Sequence, residues 1–186
     1  MKKRPTWATV VGIMGIIFAS FGIFAGAQEL LVPSIMKIQK KVFSTLEREI
    51  TKAEKASSSE NKPSLHPPVS NFFSMFEDIY NFPRWFSAYS ISSGVARIII
   101  HALYLFASIF LLQMKPSSIR LFYGVVGSSI VLTVIRSIIA ITALSFIGMT
   151  MMMGGIIGLV IDVVLLAVVL TGNKEAFQQE ESPVTV

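Results

Sequence analysis

Four long apolar segments constrain the fold of this chain more than any other feature of its sequence. They cover residues 7–31, 85–113, 119–146 and 151–172. A helix of roughly 20 apolar residues crosses a hydrocarbon layer about 30 Å thick, so each segment is long enough to span a bilayer. Only 15% of the residues are charged, against about 25% in a soluble domain. We therefore predict an all-α polytopic membrane protein: a four-transmembrane-helix bundle with an amphipathic helical segment between the first and second spans.

The first apolar segment has one alternative interpretation, a cleaved signal peptide. Three basic residues precede it, and the small residues at 25–27 resemble a cleavage site. The apolar run is longer than the roughly 7–15 residues that are typical of a signal peptide. We therefore expect the segment to be retained as a membrane anchor.

Basic residues near the ends of the spans predict the orientation. They precede the first span, lie between the second and third, and follow the fourth: Lys2, Lys3, Arg4, Lys115, Arg120 and Lys174. Because basic residues in short loops favour the cytoplasm, we expect both termini to be cytoplasmic. The chain then divides into 1–32 with the first span, an extracytoplasmic segment 33–84, a bundle 85–172 and a disordered cytoplasmic tail 173–186. The lack of cysteine, and of N-glycosylation sequons in the outer segment, favours a bacterial inner membrane.

The segment 33–84 divides into three parts. Pro33 suits the first turn of a helix, and the apolar residues after it recur three or four positions apart: Ile35, Ile38, Val42, Leu46, Ile50 and Ala53. This amphipathic helix rests on its own protein, lies on the membrane surface or docks a partner. A Ser/Pro-rich linker over 57–68 follows. An aromatic helix at the membrane interface then leads into the second span, with the interfacial aromatics Phe72, Phe73, Phe76, Tyr80 and Trp85.

Small residues predict how the spans pack. Close backbone contact replaces the hydrophobic effect inside lipid, and the first and fourth spans carry suitable seams: Gly12, Gly15, Ala19, Gly22, Gly26, Gly154 and Gly158. In the first span the spacing alternates between three and four, which is the 3.5-residue period of a left-handed crossing. We expect both seams to face the bundle interior. A homodimer contact is the alternative for the first.

Four ionisable residues fall well inside the predicted spans: Arg97, His101, Arg136 and Asp162. An ionised side chain at the centre of a span costs about 2.5–3.5 kcal/mol, so such residues face the interior and pair with one another. Measured from the midpoints of the spans, Arg97 and Arg136 lie within about 5 Å of the mid-plane, and Asp162 within about 2 Å. We therefore predict an Arg97–Asp162–Arg136 constellation with His101 one turn away. Glu29 is a further counter-charge for the surplus cation if its helix leans in.

This polar cluster admits a structural role and several functional ones. A bridging Asp162 would fix helix register; otherwise the cluster receives an anion or a lipid phosphate, or His101 and Asp162 relay protons. Haem ligation by His101 lacks a second histidine within the spans, and copper binding would fall to the methionines Met149, Met151, Met152 and Met153. The sequence contains no recognisable catalytic or cofactor motif, and we expect neither a cofactor nor a metal.

We expect a structural, accessory or interaction subunit rather than an enzyme. Its partners would be membrane lipid and a partner protein or a second copy, and not nucleic acid. The alternative is a small transport or lipid- and anion-binding protein that uses the polar cluster. A transport or lipid site needs the arginines to be accessible from one surface, whereas a scaffold seals them and exposes an apolar patch on the outer segment.

Overall fold

Helices account for all the regular structure in the part of the chain that the computed structural model describes, residues 4–57, 84–143 and 146–178. Helix α1 spans Thr6–Ser57, α2 Arg84–Leu112, α3 Ser118–Ala143, α4 Phe146–Thr171 and the short α5 Glu175–Gln178. The first four are long and apolar enough to cross a membrane, so the prediction of an all-α chain with four such helices is confirmed. The linker 58–68 and the aromatics Phe72, Phe73, Phe76 and Tyr80 lie outside the described residues.

Helix α1 is longer than predicted, because it continues through Pro33 for 52 residues. The expectation that a new helix begins at Pro33 is wrong. A proline inside a helix removes one backbone hydrogen bond and costs about 3 kcal/mol. The flanking sequence is rich in Leu, Gln, Lys and Met, which are good helix formers, and the turns on both sides of the proline therefore stay helical.

The chain forms two compact units, Met1–Glu29 with Ser92–Val186 and Leu30–Ile91. The first unit contains the beginning of α1, most of α2, and α3 to α5. The second contains the rest of α1 and the first turns of α2. In the second unit the rings of Trp85, Phe86 and Tyr89 contact one another, with centroids 6.0 to 6.3 Å apart.

The helix ends with basic flanks lie together, at what is termed here the basic end of the first unit. Its basic residues are Arg4, Lys115, Arg120 and Lys174. Lys174 lies 5.6 Å from the ring centroid of Tyr123 in α3, and the Tyr123 hydroxyl donates a hydrogen bond to the Val169 carbonyl of α4 at 3.3 Å. Trp7, in the first turn of α1, donates from Nε1 to the Asn173 carbonyl at 3.1 Å. These contacts join α1, α3 and α4 at this end.

The first residues of the tail are ordered, which corrects the expectation of a disordered segment from 173 onwards. Glu175–Gln178 form α5, and Phe177 is buried with its ring centroid 5.7 Å from that of Trp7. Burial of a phenylalanine side chain contributes about 1.5–3 kcal/mol. Trp7 offers Phe177 an apolar surface, which the polar composition of the tail does not reveal.

Helix α4 begins earlier than predicted. Helix α3 ends at Ala143 and α4 starts at Phe146, so Phe146 does not belong to the third span and the predicted turn around Gly148 is helical. Methionine is a good helix former, and no charged residue interrupts this stretch. Of the four methionines considered for copper, Met153 is exposed. The side chains of the other three lie outside the described residues.

Glycine allows α1 to lie against α2 at a separation that larger residues would prevent. A methyl group added at Gly12 would lie 2.5 Å from Cγ of Leu112, and one at Gly26 would lie 2.8 Å from Cγ1 of Ile98. Both separations are shorter than van der Waals contact, so a side chain there would force the helices apart. The same face carries Gly15, Ala19 and Gly22. The predicted seam of α1 thus faces α2 within the first unit.

The seam of α4 differs by one residue from the prediction. Gly154 is exposed, and a methyl group added there would meet nothing within 4 Å in the described part of the chain. Gly155 takes its place, 3.6 Å from Thr133 by the same measure, while Gly158 keeps an interior contact at 3.6 Å. Going back eight residues from Asp162 to Gly154 rotates the face by about 80°, whereas seven residues rotate it by about 20°. The four-residue spacing used for the prediction therefore drifted off the interior face.

Gly22→Ile should destabilise the bundle more than the same change at an open glycine. A methyl group at Gly22 would overlap the ring of His101, whereas at Gly124 it would meet nothing within 4 Å in the described chain. Both variants carry the same loss of glycine from a helix. We expect Gly22→Ile to lower the free energy of unfolding in detergent by about 2 kcal/mol more than Gly124→Ile. Equal stability of the two variants would show that the close contact does not hold the bundle.

Candidate functional site

The interior of the first unit contains two groups of polar side chains at different heights. The first, termed the central group, consists of Tyr104 on α2, Ser129 on α3 and Asp162 on α4. Asp162 is 1% exposed and Tyr104 is fully buried. The Ser129 hydroxyl donates a hydrogen bond of 2.7 Å to Oδ2 of Asp162. This bond ties α3 to α4 well inside the bundle.

The second oxygen of Asp162 faces Tyr104. The Tyr104 hydroxyl interacts with the Asp162 carboxylate, although the two do not meet the geometry of a hydrogen bond. Both the hydroxyl and Oδ1 are buried without another hydrogen-bond partner among the described residues. One donor and one acceptor are thus adjacent in the protein interior. Tyr104 also packs its ring against Phe122, at 5.5 Å between centroids.

His101 is a packing residue in this structure. Its Nδ1 lies 2.9 Å from the Arg97 carbonyl one turn earlier, and because a carbonyl only accepts, Nδ1 donates. Its ring lies against Gly22, stacks on Tyr104 at 6.4 Å and contacts Phe18 at 5.7 Å between centroids. A proton relay from His101 to Asp162 would have to pass Tyr104, whose ring faces His101 by stacking.

The second group, termed the arginine group, consists of Glu29 on α1, Arg97 on α2 and Arg136 on α3. Nη2 of Arg136 donates to Oε1 of Glu29 at 2.9 Å, and Nη1 of Arg97 lies 4.0 Å from Oε2. The Glu29 side chain is 3% exposed, whereas those of Arg136 and Arg97 are 18% and 26% exposed. A buried carboxylate therefore pairs with two arginines that reach the surface of the bundle.

The arginines do not pair with Asp162, so the predicted Arg97–Asp162–Arg136 constellation is wrong. Counted from the basic ends of their helices at 1.5 Å per residue, Arg97 and Arg136 lie about 22 and 27 Å up, and Asp162 about 13 Å up. The Cα–Cβ bond tilts towards the N-terminus of a helix, which for α2 is the far end, so Arg97 leans away from Asp162. Midpoints failed as a measure of depth because the helices differ in length and stagger.

The spacing of the small residues in the α1 seam also indicates which face of the helix carries Glu29. The predicted cluster did not use this spacing. The spacing from Gly12 to Gly26 alternates between three and four, and the next step of three falls on Glu29. Glu29 therefore belongs to the α1 face that lies against α2. A depth scale anchored at the basic ends of the helices, together with this periodicity, would have placed Glu29 beside Arg97 and Arg136.

The arginine group has a surplus positive charge, since two guanidiniums face one carboxylate within 4.0 Å in the described part of the chain. The two guanidiniums are close enough to repel each other. Nowhere among the described residues do three His, Asp or Glu side chains converge as they would around a metal ion. The chemistry that this arrangement offers is the binding of a negatively charged group.

Comparisons with protein-family models, with curated proteins and with solved structures give no match. Two features of the chain itself bear on its function: the surplus charge of the arginine group and the apolar stripe on the second half of α1.

The pairing in the arginine group predicts which charge change harms the fold. Glu29→Gln leaves two partly buried arginines without a counter-charge and should lower the free energy of unfolding by about 3 kcal/mol. Adding Arg136→Gln should recover part of the loss, with a coupling energy above about 1 kcal/mol in a double-mutant cycle. Asp162→Asn should couple to Arg136→Gln by less than about 0.5 kcal/mol.

Unfolding in mixed detergent micelles measures all of these variants on one scale. A cycle in which Asp162 couples to Arg136 while Glu29 does not would restore the pairing expected from the sequence and overturn the one described above.

Proposed function

We propose that this chain is a structural subunit of a membrane assembly, held by four transmembrane helices, that binds a partner protein through the second half of α1. The observation that carries the proposal is an apolar stripe on that half of the helix. Ile35, Ile38, Val42 and Leu46 are 47%, 64%, 52% and 47% exposed. Large apolar side chains that share one exposed face mark an interaction surface.

The stripe extends past the length of helix that a bilayer needs. At 1.5 Å per residue α1 is about 78 Å long, against a hydrocarbon layer about 30 Å thick. Lys37, Lys40 and Lys41 are exposed and lie between the stripe residues in sequence. Positions of this kind suit water or a polar headgroup layer rather than hydrocarbon.

A partner protein explains the stripe better than an anionic membrane surface does. Helices that lie on such a surface present a polar face rich in Lys and Arg. The later turns of this helix also present Glu47 and Glu49, and Lys52 forms an exposed ion pair with Glu49 at 3.1 Å. Mixed charges beside an apolar stripe are typical of helices that dock in a groove or against another helix.

The closed interior supports a structural role for the bundle itself. The carboxylates of Glu29 and Asp162 are 4% and 1% exposed. A transport route would need polar groups that are accessible along the bundle axis. Here the fully buried ring of Phe122 packs against Tyr104 of the central group, at 5.5 Å between centroids.

The basic end supplies the orientation that we propose for the chain. Lys115 and Lys174 lie there in short connections and Arg120 in the first turn of α3, and basic residues at such places favour the cytoplasm. Both termini would then be cytoplasmic and the second half of α1 extracytoplasmic, in the cell membrane of a bacterium. This is a multi-pass arrangement with an even number of spans.

The chain contains no cysteine, so single cysteines report the orientation without background. We expect an impermeant maleimide to label Thr45→Cys in intact cells, because Thr45 lies on the half of α1 placed outside. Lys174→Cys and Lys115→Cys should react only after the membrane is opened. Labelling of Lys174→Cys in intact cells would invert the proposed topology.

A charge in the stripe should break the assembly, whereas the same charge on the opposite face should not. Ile38→Glu places a carboxylate within the apolar contact, and Ser44→Glu places one about 180° from the centre of the stripe. Both positions are exposed. Complexes extracted from native membranes should shrink to the size of the free chain in Ile38→Glu and keep the wild-type size in Ser44→Glu.

Interface apolar residues of this kind cost about 1–2 kcal/mol or more when lost, which is enough to release a partner at micromolar affinity. If Ile38→Glu and wild type give complexes of one size, the stripe is not the binding surface. Loss of the complex in both variants would show that general charge, and not the stripe, governs assembly.

A further inference from the structure

We propose that Arg97 and Arg136 form a binding site for the phosphate group of an anionic phospholipid, in the leaflet at the end of the bundle opposite the basic end. The site lies in the first unit and uses different residues from the α1 stripe. It therefore goes beyond the subunit role proposed above and does not depend on it.

The first step is the charge of the arginine group. Glu29 balances one guanidinium, and a second positive charge remains in a low-dielectric setting. An unbalanced charge at such a depth is unfavourable unless it pairs. Within the described chain the nearest carboxylate oxygens to Arg97 and Arg136 both belong to Glu29. A ligand with a negative charge would complete the group.

The second step is the supply of hydrogen-bond donors. A guanidinium has five N–H donors. Arg136 uses one of them at 2.9 Å on Glu29, and the 4.0 Å separation of Arg97 from the same carboxylate is longer than a hydrogen bond. Arginine forks bind phosphate oxygens through two parallel N–H···O bonds. Donors of Arg97 and Arg136 therefore remain for a phosphate.

The two guanidiniums are accessible from the surface of the bundle. The side chains of Arg97 and Arg136 are 26% and 18% exposed. At this level the outer surface of a bundle of membrane-spanning helices meets lipid. The exposed parts of the two arginines are therefore within reach of a lipid.

The position of the two arginines along the bundle axis brings them close to the headgroups of one leaflet. Arg97 and Arg136 lie about 22 and 27 Å from the basic ends of their helices, within a hydrocarbon layer about 30 Å thick. Long basic side chains near the edge of that layer extend to the headgroups. Arg97 leans in that direction because its helix begins at the far end. The phosphate of a phospholipid, just outside the hydrocarbon layer, is the anion that the bilayer presents nearest to this level.

Glu29 fixes the guanidiniums from the interior and at the same time competes with the phosphate. Its removal therefore distinguishes a lipid site from a closed structural cluster. With Glu29→Gln the surplus rises from one positive charge to two, so the protein should lose stability in neutral lipid and bind anionic lipid more tightly. A cluster that binds no ligand would lose stability in this variant without any gain in affinity for anionic lipid.

The test uses the full-length protein in nanodiscs of phosphatidylcholine with a minor fraction of phosphatidylglycerol. Native mass spectrometry measures the ratio of the two lipids that stay bound. We expect wild type to enrich phosphatidylglycerol and Arg97→Gln to reduce that enrichment about tenfold. Arg120→Gln is the matched control, since it removes an exposed arginine at the basic end and should leave the enrichment unchanged.

Further arms identify the source of the phosphate and guard against misfolding. Inorganic phosphate is added to the detergent-solubilised protein at matched ionic strength, and its effect on thermal stability should be absent. If Arg97→Gln does not fold, Arg97→Lys keeps the charge without the fork and should lose about threefold of the enrichment.

Several results would overturn the proposed lipid site. Equal enrichment in wild type and in the Arg97 variant overturns the site, and so does an equal loss in Arg97→Gln and Arg120→Gln. Stabilisation by inorganic phosphate without any lipid preference assigns the site to a soluble anion and overturns the lipid. Weaker binding of phosphatidylglycerol by Glu29→Gln would also contradict the proposal.

Discussion

The close contact between α1 and α2 is the constraint on which the rest of the first unit depends. Glycine along α1 removes the side chains that would hold the helices apart, and His101 fills the space beside Gly22. The same helical face carries Glu29, so the contact that packs the two helices also brings a carboxylate to Arg97 and Arg136. A buried carboxylate needs a counter-charge close by, because an unpaired charge in a low-dielectric interior costs several kcal/mol. Packing and electrostatics are thus set by one periodic pattern in one helix.

The sequence predicts the parts of this structure that follow from periodicity and fails where depth decides. Four apolar segments and a seam spaced by three and four define the spans and the α1 face directed at α2. Pairing of Arg136 required the relative height of residues on different helices, and the midpoints of apolar segments do not supply it. The polar tail hid the packing of Phe177 on Trp7 because that contact joins residues that are far apart in sequence. Gly154 was chosen over Gly155 because a spacing of four drifts off a face that a step of seven keeps.

The two polar groups differ in what they need from their surroundings. The central group is enclosed by the protein: Ser129 donates to Asp162 at 2.7 Å, and Oδ1 of Asp162 and the Tyr104 hydroxyl are buried without a hydrogen-bond partner among the described residues. Its residues are almost fully buried, and it joins helices by short-range contacts. The arginine group is closed on the carboxylate side and open on the guanidinium side. The central group therefore has the properties of a structural contact between helices. The arginine group has the properties of a site that binds a group from outside the chain.

A purely structural cluster needs only one arginine. Glu29 and Arg136 already form a neutral pair at 2.9 Å, and replacing buried ion pairs with apolar residues is often neutral or stabilising. Arg97 adds a second positive charge, which lies 4.0 Å from its nearest carboxylate, the one already paired with Arg136. An aliphatic side chain at position 97 would avoid repulsion from Arg136. The second arginine therefore costs internal stability, and the anionic headgroup that we propose for this site would offset that cost.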